Sequence, residues 1–490
     1  TALGYNTLAA VTSGDNNIAI GNNAGAAITT TTQNIFIGKN AGVVTTSHNN
    51  VSIGYNSTLN ITTGDKNVAI GSFAMSTNHD GNSRESKESV FVGYNSGGGT
   101  WANNQSHYNT AVGAWTMDAA LNGALYNTAL GIHALADLTE GDANVAIGAY
   151  AGSLTTTGVS NVAIGAYDGT LVAALRTNTV GSFNIAIGTA ALAVANENDN
   201  DGSIAIGHKA GYRKAGTGGD QFSKVDVLIG YATGSQLTTG GSNVAVGHSA
   251  MGGDATGTAL TGSNNTVLGY NAGYNMEGSS SSNTIIGSSA GTAVTDASNL
   301  VLLGKEAGAA ITSTGASGTI AIGQSAGKRH TSGAGCVYIG NAAADHCTDG
   351  HRNVAIGEAA LSANADDDNV AIGYGALGVC TGADNVAIGK DAGNVIQTGS
   401  ENTLVGYNVD VASADNTNNV VLGNNLTATD KDNAVFIGND TNHIENDFNA
   451  DATWNYSSDV RQKQDIKDDT LGLDFINDLR PVTYKHKSPS

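Results

Sequence analysis

The chain has 490 residues, 67 of them glycine and two of them proline, and its net charge is −21. Its apolar residues, 40% of the total, are patterned, which excludes disorder, and glycine does not occupy every third position, which excludes collagen. The negative charge argues against a nucleic-acid partner, which requires a basic surface, and no apolar window of about 18 residues is present that could insert into a membrane.

A single repeat covers residues 1–440. Its core reads Asn-Val-Ala-Ile-Gly, as at 67–71 and 144–148, and the glycine that ends this core recurs 25 times, mostly 16 to 18 residues apart. The period is too short for two helices, and the core is apolar and β-branched, as a strand is. We therefore predict an all-β protein, a parallel β-solenoid or β-roll of about 25 rungs, with two short strands and two turns in each rung of roughly 17 residues.

The core strand is apolar on both faces, which predicts burial on both faces. We place the first and third apolar residues, such as Val145 and Ile147, inside the roll. The residue between them, which is Ala in 14 of 25 rungs, then points away from the roll. Its small side chain would admit another backbone, so we predict that this alanine face packs on partner chains in a homotrimeric rod. Packing on a second sheet of the same chain is the alternative.

Asparagine precedes the core strand in 17 rungs. At one residue per rung these side chains stack, and each amide can donate to the next. We interpret this column as a structural ladder and not as a ligand site. Representative members are Asn17, Asn34, Asn67, Asn144, Asn161, Asn353, Asn369 and Asn385.

The longest insertions between rungs lie at 76–88 and 212–224. Recognition usually resides in loops on a rigid scaffold, so we expect these insertions to contact a glycan or protein receptor on a host cell. The candidate binding residues are the five basic side chains Arg84, Lys87, Arg213, Lys214 and Lys224.

The tripeptide Gly-Tyr-Asn recurs five times, at 4–6, 54–56, 93–95, 269–271 and 406–408. Exposed Tyr and Asn side chains suit contacts with carbohydrate. Stacking within the turns is the interpretation that we prefer.

The repeat contains no arrangement of residues that suggests catalysis or a metal centre. Its acidic side chains occur in turns, where Asp favours the bend. The acidic run 197–202 and the cluster of Asp345, His346, Cys347 and His351 do not match the ligand spacings of calcium or zinc sites. We therefore expect no metal, no cofactor and no enzymatic activity in the rod.

The five-residue core resembles the head repeats of trimeric autotransporter adhesins, in which a related motif builds a trimeric parallel β-roll. The likeness covers residues 1 to about 440, although the rungs here are longer than in those heads. Similar repeats occur in phage tail fibres. The resemblance therefore implies a trimer on a virion or a cell surface. It does not decide whether the protein belongs to a phage or to a bacterium.

Composition changes after Gly438, where a connector at 441–457 leads into a segment of mixed charge at 458–490. Within this segment we expect a short helix from Thr470 to Leu479, ended by Pro481, in a small mixed α/β unit.

Two pieces of the segment resemble the start of the intramolecular chaperone domain of endosialidase-type phage tailspikes and fibres. They are Ser-Asp-x-Arg-x-Lys-x-x-Ile at 458–466 and Gly-Leu-Asp-Phe-Ile-Asn-x-Leu-Arg-Pro-Val-Thr-Tyr at 472–484. About 33 residues are present, whereas the family's domain is several times longer. The resemblance implies a trimeric folding template that cuts itself off with a Ser and a Lys, which match Ser458 and Lys463.

Taken together, these features predict a structural, host-recognising tail fibre of a phage, located in the virion or outside the cell. The alternative is a bacterial surface adhesin or extracellular filament of the trimeric autotransporter head type.

Overall fold

The computed structural model describes residues 1–76, 86–101, 105–194, 201–214, 225–252 and 258–449. These residues form a parallel β-solenoid in which 25 short strands stack in chain order, each paired in register with the next. At roughly 4.8 Å per strand, the stack is about 120 Å long. The predicted all-β solenoid, with a period of about 17 residues, is confirmed.

Most strands are three residues long and coincide with the apolar part of the repeat core. A three-residue 3₁₀ helix, Thr314–Ala316, lies between two of them. The strands are β1 (Ala2–Leu3), β2 (Ile18–Ile20), β3 (Ile35–Ile37), β4 (Val51–Ile53), β5 (Val68–Ile70), β6 (Val90–Val92), β7 (Thr110–Val112), β8 (Thr128–Leu130), β9 (Val145–Ile147), β10 (Val162–Ile164), β11 (Ile185–Ile187), β12 (Ile204–Ile206), β13 (Val227–Ile229), β14 (Val244–Val246), β15 (Thr266–Leu268), β16 (Thr284–Ile286), β17 (Val301–Leu303), β18 (Ile320–Ile322), β19 (Val337–Ile339), β20 (Val354–Ile356), β21 (Val370–Ile372), β22 (Val386–Ile388), β23 (Thr403–Tyr407), β24 (Val420–Asn424), β25 (Ala434–Asn439) and β26 (His443–Asp447).

Within the described residues a typical rung contains one strand, and the prediction of two strands per rung is wrong. The rest of the rung consists of tight turns, because several residues adopt left-handed backbone angles. Between β8 and β9, for example, φ is 55° at His133, 49° at Leu135 and 56° at Ala143. On the side opposite the strands, neighbouring rungs are joined by backbone hydrogen bonds outside any strand, such as that from Thr139 N–H to the Thr156 carbonyl at 3.0 Å.

The glycine that ends the core has a conformation and a position that exclude other residues. At Gly71, φ is 137°, which residues with a side chain rarely adopt. A Cβ atom placed there would lie 2.2 Å from the carbonyl oxygen of Gly93 in the next rung. The glycines therefore form a column in which the backbones of neighbouring rungs are in direct contact.

The burial of the core strand is the reverse of the prediction. Ala146 is fully buried inside the solenoid, whereas Ile147 is 36% exposed and Val145 is half-buried on the outside. The same order of exposed, buried and exposed residues recurs along the stack, for example in β2 and β14. The alanine faces inward because a rung of about 17 residues encloses a narrow interior, in which two β-branched side chains per strand would not fit.

In many rungs, although not where Ala and Gly occur together as at Ala146 and Gly152, interior side-chain volume is shared between the central strand residue and the residue six positions later. Where the first is large, as at Phe36, the second is Gly42, whose added Cβ would lie 2.2 Å from the Phe36 ring. Where the first is small, as at Ala129, the second is the buried Leu135. The exchange recurs as Phe91 with Gly97, Leu228 with Gly234, Leu302 with Gly308, Ala69 with Met75, Ala111 with Met117, Ala355 with Leu361 and Ala371 with Leu377.

The last strand closes the stack differently. β26 runs antiparallel to β25 and follows it through a tight connection at 440–442. Two of its acidic residues, Glu445 and Asp447, form ion pairs with Lys431 of the preceding connection.

Candidate functional site

The predicted asparagine column is a hydrogen-bonded ladder inside the rod, interrupted where Leu300, Thr319 and Cys336 replace asparagine in three successive rungs. Asn161 donates its backbone N–H and its side-chain Nδ2 to Oδ1 of Asn144, both at 3.0 Å. The same Nδ2 also donates to the Gly181 carbonyl at 2.8 Å, and Oδ1 of Asn161 accepts from the backbone N–H of Asn184 at 3.0 Å. Because every polar atom of the side chain has a partner inside the protein, the column is structural.

An apolar stripe runs along the outside of the rod. We use the name outer stripe for the two columns formed by the residues three and one before the core glycine in β2 to β25, such as Val145 and Ile147 in β9 and Val435 and Ile437 in β25. The parallel register places Val145 beside Val162 and Ile147 beside Ile164. Several members are more than a third exposed, among them Ile18, Ile20, Ile70, Leu130, Ile147, Val244, Val246, Leu303, Ile388, Val405 and Ile437.

Aromatic rings form a second surface feature at the corner of the rung that follows the glycine column. Seven consecutive rungs each contribute one ring, and neighbouring ring centroids are 4.8 to 5.9 Å apart. We call this set the long aromatic ladder. Its members are Tyr55, Phe73, Tyr94, Trp115, His133, Tyr150 and Tyr167.

A short aromatic ladder occupies four later rungs at the same corner. His208, Tyr231, His248 and Tyr270 follow one another with centroid distances of 5.2, 4.8 and 5.4 Å. Stacking within the turns, the interpretation that we preferred for the Gly-Tyr-Asn repeats, therefore holds for Tyr55, Tyr94 and Tyr270. Stacking leaves these rings roughly half exposed, so it does not preclude a ligand.

A cation lies at one end of the long aromatic ladder. The Arg176 guanidinium carbon is 5.7 Å from the centroid of the Tyr150 ring, a cation–π distance. Arg176, Tyr150 and Tyr167 line a surface cavity of about 170 Å³. The Arg176 Nε atom is buried and has no hydrogen-bond partner among the described residues. The cavity thus combines a concave surface with a positive charge at one end of the ladder.

The five basic loop candidates do not form one site. Arg213 is exposed, and its Nη1 donates to Oε1 of Gln236 at 2.7 Å. Lys87 is partly buried in a different rung. Arg84 and Lys224 lie outside the described residues.

Lys214, predicted as a surface contact, is instead buried. Its side chain is 1% exposed, and its Nζ lies 2.6 Å from Oδ2 of the fully buried Asp226. The Lys214 Nζ also donates to the Gly240 carbonyl. Asp226 occupies the ladder position that Asn holds elsewhere, and its Oδ1 accepts from the Asn243 backbone N–H at 2.9 Å. Burial raises the pKa of Asp226, an effect that the Lys214 ammonium opposes. Lys214 is therefore not available to a receptor.

The residues of the Asp345–His351 cluster are separated in the structure. Cys347 is buried, and its Sγ lies 3.6 Å from the Tyr338 hydroxyl, whereas Asp345 and His346 hydrogen-bond to each other near the surface. The His351 ring accepts from the Ala334 backbone N–H at 3.1 Å. Burial raises the pKa of the Cys347 thiol. Across the described part of the chain, no group of three or more potential metal ligands converges.

The fold and its surfaces define the class of the protein as a parallel β-solenoid built from repeats. Comparison of the chain with protein-family models, with curated proteins and with solved structures gave no match. Within the described ranges, no helix is long and apolar enough to cross a lipid bilayer. Ser458 and Lys463, the predicted self-cleavage pair, lie outside those ranges, as does the whole chaperone-like segment.

Proposed function

We propose that the protein is a structural, host-recognising fibre of a phage tail, assembled as a homotrimer and located in the virion. The observation that carries this proposal is the outer stripe. Extended apolar patches are uncommon on monomeric proteins, and they usually mark a contact with another protein. The proposal assigns no cofactor and no catalytic activity to the rod.

The outer stripe has the dimensions of an interface. Its two columns are roughly 7 Å apart, two residues along a strand, and about 120 Å long, which gives roughly 800 Å². One side of a standard protein–protein interface buries about the same area. A partner must present an apolar surface with the same spacing between rungs, and another copy of this chain meets that requirement. The trimer that we proposed therefore assembles through the isoleucine and valine columns, and not through alanine.

The assignment to a phage rests on the two motifs at 458–466 and 472–484. Rungs of nearly identical sequence can pair one rung out of register at little cost, so three chains require an aligned starting point. A trimeric segment at the C-terminal end of the rod would supply that alignment. A second candidate, a bacterial adhesin or extracellular filament, is favoured by the likeness of the repeat core to adhesin heads.

The molar mass of the intact protein, measured by light scattering or sedimentation, tests the trimer. We expect three times the mass of one chain. A stable, folded monomer would contradict the assembly through the outer stripe.

Expression of residues 1–450 alone tests the role of the C-terminal segment. We expect aggregates or oligomers of mixed register, since long-range parallel pairing is slow and exposes unpaired edges. The full chain should give soluble trimers. Equal yields of the same trimer from both proteins would show that the segment is not a folding template. The flanking sequence of the full-length protein would separate the phage from the bacterial candidate, because the remainder of a chaperone domain is expected only in the phage protein.

A further inference from the structure

We infer that the long aromatic ladder, together with Arg176, binds an extended polysaccharide that carries carboxylate groups. This inference deepens the proposed function, on which it rests for its biological setting, because it names the chemical class of the receptor. The binding itself needs only the surface of one rod.

The solenoid does not require these rings. Other rungs carry Asn23, Ser289 or Ala342 at the position where the long ladder carries Trp115 or His133, and the backbone is the same. Phe73, Trp115, His133 and Tyr150 have φ between 52° and 62°, the same left-handed conformation that the smaller residues adopt in other rungs. The rings are therefore side chains placed on a shared backbone, and the fold does not depend on them.

The rings remain available to solvent although they stack on one another. Tyr55 is 44% exposed, Tyr94 49%, Trp115 37% and Tyr167 42%. The ring orientation changes along the ladder. Tyr55, Phe73 and Tyr94 meet edge to face, as do Tyr150 and Tyr167, so some ring faces there are not covered by a neighbouring ring. Trp115, His133 and Tyr150 are stacked face to face, so these rings present their edges to solvent.

The spacing of the ladder selects a polymer with a matching repeat. Ring centroids lie 4.8 to 5.9 Å apart over seven rungs. One sugar residue in an extended glycan chain spans a similar distance, and the C–H face of a pyranose packs on an aromatic ring while its hydroxyl groups bond to polar side chains at the edge. A polyproline II helix repeats only every 9 Å or so, which does not match one ring per rung. Nucleic-acid bases would also stack on the rings, but the net charge of −21 opposes a phosphate backbone.

Arg176 adds a preference for negative charge at one end of the ladder. Its side chain lines the cavity with Tyr150 and Tyr167, and its guanidinium carbon lies 5.7 Å from the centroid of the Tyr150 ring. A ligand carboxylate in the cavity would form a charge-assisted hydrogen bond with this guanidinium. Two acidic residues, Asp118 and Asp137, lie near His133 in the middle of the ladder, and Asp118 accepts from Asn95 at 3.5 Å. The ligand carboxylates are therefore expected near Arg176 and not at every sugar.

Binding of defined oligosaccharides to the full chain tests the inference. The panel contains neutral cello- and chito-oligosaccharides, uronic-acid-containing oligosaccharides such as hyaluronan fragments, and a proline-rich peptide. Each protein in the test carries Trp454→Phe, which leaves Trp101 and Trp115 as the tryptophans. Quenching by acrylamide then reports on the ladder through Trp115, because Trp101 is only 3% exposed. We expect binding of extended glycans, with the acidic ones favoured at least tenfold, and protection of Trp115 from quenching by acrylamide.

Three variants locate the site. Trp115→Asn introduces a residue that other rungs carry at this position, and we expect it to weaken every bound glycan at least tenfold. Arg176→Gln should weaken only the acidic glycans. Tyr374→Ser, which removes an exposed tyrosine at the same corner but outside both aromatic ladders, should leave binding unchanged.

Several results would overturn the inference. The first is that no glycan in the panel binds, and the second is that only the proline-rich peptide binds. The third is that Trp115→Asn and Arg176→Gln leave glycan binding unchanged. The fourth is that acrylamide does not quench Trp115 in the free protein. Glycan binding by a chain whose mass is that of a monomer would support the inference and contradict the proposed trimer, so the two failures are distinguishable.

Discussion

The buried pair of Lys214 and Asp226 provides a sharp test of the ladder. In other rungs the Asn side chain donates to the carbonyl 14 residues later, as Asn144 does to Gly158 at 2.8 Å. Asp226 has no side-chain donor, and the Lys214 Nζ instead donates to the corresponding carbonyl, that of Gly240. Lys214 therefore supplies the hydrogen bond that the Asn-to-Asp exchange removes.

Replacing Lys214 by Met leaves the Asp226 carboxylate buried without its cation. Breaking a buried ion pair in this way costs about 3 to 5 kcal/mol. Because rungs interact mainly with their neighbours, the loss should be local. Amide hydrogen exchange should therefore accelerate by roughly two to four powers of ten at Ile204 and Val227, whose N–H groups bond across this rung, and should remain unchanged at the distant Val386.

The double variant Lys214→Met, Asp226→Asn is the matched control, since it restores the sequence pattern of the other rungs. In the double variant, we expect amide exchange rates at Ile204 and Val227 within tenfold of those in the parent protein. In the single variant, the carboxyl group has a folded-state pKa above its unfolded value, so its penalty should shrink as the pH falls below that folded-state pKa. Two results would refute the conclusion that Lys214 replaces the missing hydrogen bond of the ladder. One is amide exchange in the single variant as slow as in the parent protein, and the other is an equal loss of protection in both variants.

Three further predictions concern the interior, the outer stripe and pH. Ile147→Lys should yield folded monomers, whereas Ala146→Lys should unfold its rung, because one charge is exposed in the monomer and the other is buried; molar mass and circular dichroism distinguish these outcomes. Asn161→Ala should cost about 2 to 4 kcal/mol in thermal or urea unfolding by leaving buried partners unsatisfied, whereas Asn23→Ala, on a more exposed corner, should cost far less. Burial raises the pKa of Asp410 to about 6. Its stabilising contribution is therefore fully present below about pH 4 and lost as the pH rises through 6, so the stability of its rung should fall by ~2 kcal/mol between pH 4 and pH 7; a flat profile would contradict the shift.

The stacking of the rungs could be predicted from sequence because glycine, asparagine and the apolar core recur together. Which face of the core strand points inward could not be predicted from the strand alone. Val145, Ala146 and Ile147 are all apolar, so their alternation does not distinguish the inner face from the outer face. A signal was nevertheless present in the paired sizes of residues six apart, such as Phe36 with Gly42 and Ala129 with Leu135. Such compensation indicates two side chains that share one enclosed volume.

The sequence position of Lys214 also indicated that this residue is buried. It lies seven residues after Gly207, where other rungs place Ile28, Leu138 or Ile311 in the core. A basic residue at an interior position requires a buried acid, and Asp226 is the ladder residue of the next rung. The aromatic ladders could be seen in sequence only as scattered Tyr and His, because insertions between rungs vary the spacing that aligns them.

The antiparallel β26 has a consequence for the size of the rod. An unpaired parallel strand at the end of a stack is a template for further strands from other molecules. β26 covers that edge of β25 with a strand of opposite direction, and Glu445 and Asp447 place charge on it. Addition of a further parallel strand to β25 at this edge is thereby blocked, while rungs within the rod resemble one another closely enough to be duplicated or deleted. The length of the rod can therefore change during evolution without any change in β25 and β26.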